Sequence, residues 1–100
     1  MSNQEQAIDA SIEQVVQLPK KYAVVLKNDD FTPMDFVVDV LLNIFGLAEN
    51  KAFEIMLEVH NTGRGIAGIY SREIAETKVA LALKASRNAG HPFMCFVEAV

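Results

Sequence analysis

The chain has a single cysteine, Cys95, in one hundred residues. It has no partner for an internal disulfide and no second thiol to help hold a metal, which fits a reducing compartment. Positive charge is also scarce: nine Lys and Arg stand against thirteen Asp and Glu, a formal net charge of −4 at neutral pH. The cations gather into no stripe, which excludes nucleic acid as a partner, since a phosphate backbone needs clustered Lys and Arg to neutralise it. No apolar run nears the roughly 20 residues of a membrane helix. The acidic amino terminus has no basic segment followed by an apolar stretch of the secretory type. A cytoplasmic protein that engages no membrane is expected. Internal repeats and low-complexity segments are missing too.

What remains is a small globular composition. Hydrophobic residues make up 51% of the chain, too many for full disorder. One hundred residues form one domain with a modest core, which suits a binding module better than an elaborate enzyme.

Residues 1–21 are polar and acidic, with Ile8, Ile12, Val15 and Val16 at helical spacing. They read as a flexible extension able to become helical against a partner, and the domain is expected over 22–100. Tyr22 to Lys27 is short, β-branched and aromatic, which predicts a strand. A turn at Asn28-Asp29-Asp30 leads to a helix start: Thr32 as cap, Pro33 in the first position, Asp35 completing a capping box. Apolar residues from Phe36 to Phe45 give that helix a buried face, and Gly46 stops it. A second helix is expected from Glu49 to Asn61 with Gly63 as its stop, then a strand from Ile66 to Tyr70. Ser71 caps a third helix running to Asn88, ended by Gly90, and Phe93 to Glu98 forms the last strand. The order β-α-α-β-α-β predicts an α+β domain, three helices on a three-stranded antiparallel sheet. Strand order cannot be read from this pattern.

Gly63-Arg64-Gly65-Ile66-Ala67-Gly68 matches G-x-G-x-x-G, but it ends a helix and enters a strand, the reverse of a dinucleotide fingerprint. Its glycines read as a helix stop and close packing. His60 and His91 lack the further donors of a metal site, so no metal or cofactor is expected. Asp29 with His60 has the residue types of a small hydrolase, yet no Ser or Cys stands in a nucleophile setting. The acidic turn has an ordinary explanation, because Asn and Asp side chains bond nearby backbone. Its other reading is a small pocket: acceptors from Asn28 and Asp29, His60 one turn after Met56, and apolar Met34, Val37, Met56 and Val59 beside them. Such a site suits a peptide's free amino group followed by a bulky side chain. Asp30 reads as mainly structural. Lys78 projects from the apolar side of its helix, as a snorkelling residue or as part of a protein contact with Glu73 and Glu76 nearby.

Asn28-Asp29-Asp30-Phe31-Thr32-Pro33-Met34, Val59-His60, Ala75-Glu76-Thr77-Lys78-Val79-Ala80 and His91-Pro92, in that order, resemble the ClpS adaptor family of bacterial regulated proteolysis. The resemblance runs from Tyr22 to the end of the chain. It implies a monomeric, non-enzymatic adaptor that recognises N-degron substrates beginning with Phe, Tyr, Trp or Leu. It would deliver them to the amino-terminal domain of a ClpA-type AAA+ unfoldase, which feeds the protease ClpP. Carried over by position, Asn28, Asp29 and His60 would hold the ligand's amino group, with Asp30 in the turn as a further contact. Thr32, Met34, Val37, Met56, Val59 and Phe93 would line the side-chain pocket, and Glu73 and Lys78 would face the unfoldase. The family usually has Leu after the His-Pro pair, where this chain has Phe93. A generic interaction domain of similar fold, with a purely structural acidic turn, is the alternative.

Overall fold

The structure, a computed structural model, describes residues 20–100. The extension expected over residues 1–21 therefore lies outside the described residues, apart from Lys20 and Lys21. The described elements are β1 (Tyr22–Lys27), α1 (Met34–Asn43), α2 (Glu49–Thr62), β2 (Arg64–Tyr70), α3 (Arg72–Ala89) and β3 (Met94–Ala99). The expected α+β order stands.

The sheet runs β2-β1-β3, and both neighbours pair antiparallel with β1. β1 reads as an unbroken apolar run because it is central and shielded on both faces. Val24 and Leu26 point into the helical core, which Val40, Leu41, Ile55 and Cys95 also fill. Ala23 and Val25 face the other way and are still buried. In register with Val25 stand Ile66 and Phe96. Arg64 on β2 meets Glu98 on β3 at 3.1 Å across this outer face, with its guanidinium 6.0 Å from the Phe96 ring centre. β2 carries a bulge opposite the Val24–Val25 step, and Ala67, left without a partner there, turns into the core.

Two helix ends differ from expectation. Thr32 does not cap α1: the capping position is Pro33, and no side chain caps it. The Thr32 hydroxyl donates to Asp29 Oδ2 at 2.8 Å, so it is engaged with the turn before the helix. Asp35 accordingly sits in the first turn without a capping box. At the other end the helix stops at Asn43 with Ile44 as its cap, short of the Gly46 expected to stop it; the Lys78 amine, from α3, donates to Ile44 O at 2.9 Å and lies 5.8 and 5.4 Å from the Phe45 and Tyr70 ring centres. It satisfies one of the carbonyls every helix end leaves unpaired and complements the negative end of the helix dipole.

α2 stops at Gly63, whose φ of +96° only glycine adopts readily. Two residues on, Gly65 permits a close approach: a Cβ there would stand 2.8 Å from Val59 Cγ2. β2 can therefore start directly against the last turn of α2. α3 begins at the expected cap, Ser71, whose hydroxyl accepts from Ile74 N. Near its end the buried Ser86 hydroxyl donates to His91 O at 2.8 Å, with Phe93 O 3.2 Å away. This ties the loop before β3 to α3 and delays the strand to Met94. Among the described residues, no helix is long and apolar enough to cross a membrane.

Candidate functional site

The turn after β1 is built around one carboxylate. Asp29 Oδ1 accepts from Phe31 N (2.8 Å) and Thr32 N (2.7 Å), and Oδ2 accepts from the Thr32 hydroxyl. This is the local bonding that makes Asp a turn former. Partial burial would by itself raise the Asp29 carboxyl. The Thr32 hydroxyl, the two amides and the field of His91 outweigh it and hold the carboxyl below its ordinary value. Asp29 is therefore ionised at neutral pH. A carboxylate offers about four acceptor sites and the turn takes three, so acceptor capacity remains on Oδ2. Asp30, expected to be the structural member, is exposed and makes no side-chain bond among the described residues; Asp29 holds that role.

Asn28 is fixed through its backbone, N–H to Gly63 O at 2.9 Å. That bond joins the turn to the end of α2, the element that carries His60. No described residue bonds the side chain of Asn28 or His60, and His60 is exposed on the last turn of α2.

Between the turn, α1 and α2 lies a cavity of about 330 Å³, within the size range of small-ligand sites. Asn28, Asp29, Asp30 and His60 supply its polar rim, and Thr32, Met34, Val37, Met56 and Val59 its remaining expected wall. Val37, Met56 and Val59 are 8, 4 and 3% exposed, so the floor of the cavity is also the edge of the core. Two further lining residues, Phe31 and Pro33, were not anticipated, although both stand inside the motif that marked the site.

Phe93 is a correction. It does not line the cavity; it is 2% exposed and packs edge-on to Phe36, ring centres 6.0 Å apart. The physical reason is the Ser86 tie, which draws the His91–Phe93 loop onto α3, with His91 also edge-on to Phe36 at 4.8 Å. From there the field of His91 helps hold the Asp29 carboxyl below its ordinary value, which sequence spacing could not reveal.

The remaining candidates lie elsewhere. Glu73 is exposed on the first turn of α3, and Lys78 is half-buried with its amine on Ile44 O. Among the described residues, no group of three His, Cys, Asp or Glu side chains is arranged to hold a metal ion. Burial pushes the Cys95 thiol up to about 11, which makes it a packing group rather than a nucleophile.

Fold and cavity together define the class: a small α+β domain with an apolar-floored cavity rimmed by acceptors. Residues 17–96 match the family model for "ATP-dependent Clp protease adaptor protein ClpS". The chain is 55% identical over 85 residues to an ATP-dependent Clp protease adapter protein ClpS of Hydrogenovibrio crunogenus, covering 85% of this chain and 82% of that one. It is 52% identical over 80 residues to the ClpS of Xanthomonas campestris pv. campestris, covering 80% and 76%. Its fold is similar to the structure of Agrobacterium tumefaciens ClpS2 bound to L-phenylalaninamide, with a TM-score of 0.80, 37% identity, 83% of this chain and all of that one covered. The chain belongs to the ClpS family of Clp protease adaptor proteins.

Proposed function

We propose that this adaptor binds the free amino terminus and bulky hydrophobic first side chain of N-degron substrates, and delivers them to a ClpA-type unfoldase for degradation by ClpP. The observation that carries this reading is the cavity itself: unused acceptor capacity at the rim, and an apolar floor directly behind it. An α-ammonium has three donors. An ionised Asp29, the Asn28 amide oxygen and a neutral His60 imidazole offer three acceptors of matching kind. The Asn28 amide can also donate to the ligand's first carbonyl. Phe, Tyr, Trp or Leu on the floor of Val37, Met56 and Val59 gains roughly 1.5–3 kcal/mol from burial. An internal residue has no ammonium and would leave the rim acceptors stripped of water without a partner. The ligand of the related ClpS2, L-phenylalaninamide, combines a free amine, a benzyl side chain and an uncharged carbonyl, the three groups this site can recognise.

Glu73 and Lys78 would face the unfoldase from α3, away from the cavity, and the amino-terminal extension would engage it during delivery. Lys78 would then serve two ends at once, closing α1 with its amine and presenting its stem to the partner.

The test is a degradation assay with ClpA and ClpP, using one reporter that begins with Phe and a second that begins with Met-Phe. Loss of the Phe reporter alone, and only when the adaptor is added, is the expected result. Equal loss of both reporters, or of neither, would refute the reading.

A further inference from the structure

Phe31 is 80% exposed, more than any other large apolar side chain among the described residues. It stands at the mouth of the cavity beside Pro33, itself exposed, and Met34, 44% exposed. Its root is fixed, because its amide is one of the two that Asp29 Oδ1 accepts. An aromatic ring held in water on a braced turn is the pattern of a binding surface, since a core residue would be buried. Phe31 is also distinct from the apolar floor: Val37, Met56 and Val59 are buried, whereas Phe31, lining the same cavity, is exposed.

We infer that Phe31, with Pro33, forms a second apolar subsite that takes the side chain of the ligand's second residue. This deepens the peptide-binding reading and rests on it. With the ammonium on Asn28, Asp29 and His60 and the first side chain on the floor, the second Cα lies one residue step, about 3.8 Å, further along. Neighbouring side chains of an extended peptide point to opposite sides. The second side chain therefore leaves the cavity as the first enters it, and meets the rim. The exposed apolar residues at the rim are Phe31, Pro33 and Met34, of which Phe31 stands out furthest into water. A flat aromatic with no hydrogen-bonding group selects for apolar contact area, so Leu or an aromatic residue in second place is favoured over Ser.

The experiment is fluorescence anisotropy on the full chain with two peptides, Phe-Leu- and Phe-Ser-initiated and otherwise identical, each with an amino-acetylated control. The wild-type protein is expected to bind the Leu peptide roughly fivefold to tenfold more tightly. Phe31→Ala is expected to bring that ratio close to one. The ring is exposed and only the backbone amide holds the turn, so the variant retains the fold. A ratio above fivefold that survives Phe31→Ala overturns the inference, as does a wild-type ratio near one with binding otherwise intact. In both cases the amino-terminal site itself stands. Equal binding of free and acetylated peptides would overturn the inference together with the reading beneath it.

Discussion

The two ends of α1 have the same backbone problem and opposite solutions. At its carboxyl end the carbonyl of Ile44 receives the Lys78 amine from another helix, and Phe45 and Tyr70 close around that amine. At its amino end no side chain caps the helix, and the preceding turn bonds to itself through Asp29. The side chains of Asn28 and His60 are left facing a cavity without partners. The carboxyl end is closed from within the fold; beside the amino end, the turn and α2 keep the side-chain acceptors proposed to meet a ligand. Asp29 alone does both, bracing the turn with three bonds and offering its remaining acceptor site at the rim.

Substitutions should separate the two roles. Asp29→Ala is expected to do the most damage. It removes the acceptor for two amides and a hydroxyl, lowering stability by about 2 kcal/mol, and costs peptide affinity roughly 30-fold. Thermal melts and anisotropy read the two losses separately. His60→Ala should weaken Phe-peptide binding about tenfold, the worth of one hydrogen bond to a charged group, while leaving the melting temperature unmoved. Lys78→Met should do the converse. It keeps the packed stem and strips Ile44 O of its donor, a loss of about 1 kcal/mol of stability with peptide affinity within about twofold. Arg64→Ala should matter least. The Arg64–Glu98 pair is about half exposed, and such pairs contribute roughly 0–1 kcal/mol, less in high salt.

Acid provides an independent probe of the bracing role. The Asp29 carboxyl is held below its ordinary value of about 3.8, so the folded state favours the ionised form. Its contribution to stability is fully present above that ordinary value and fades as pH falls through the lower folded value. The difference in melting temperature between wild type and Asp29→Asn should therefore be constant near neutrality and shrink in strong acid. A difference that does not depend on pH would mean the turn does not use the charge.

The element order was legible because hydrophobic period and glycine stops agree over most of the chain: Gly63 and Gly90, both at positive φ, close α2 and α3 where spacing puts them. Sheet order was not legible, since a buried run such as Val24-Val25-Leu26 looks alike at any inner position. The cap of α1 was misread for a physical reason. Thr32 has the residue type of a cap, but a carboxylate three residues earlier competes for its hydroxyl and wins. The rim and floor of the cavity were legible as residue types at turn and helix spacing. Phe93 was not, because its direction depends on the Ser86 hydroxyl, seven residues earlier on α3 and unremarkable in sequence. Lys78 stood out correctly as a charge on an apolar face. Its partner, a carbonyl 34 residues away, could be seen only in the fold.

The proposed receptor for a charged chain terminus is the acceptor set of the turn before α1 together with His60 on α2. The most direct measurement is the affinity of the full chain for a Phe-initiated peptide, beside the same peptide acetylated on its α-amine. Acetylation removes the charge and two donors while leaving the benzyl group untouched. The account predicts that most of the binding is lost, at least about 30-fold. Equal affinity for the two peptides would show that the cavity reads only an apolar side chain, and that the acceptors of Asn28, Asp29 and His60 do not serve the ligand.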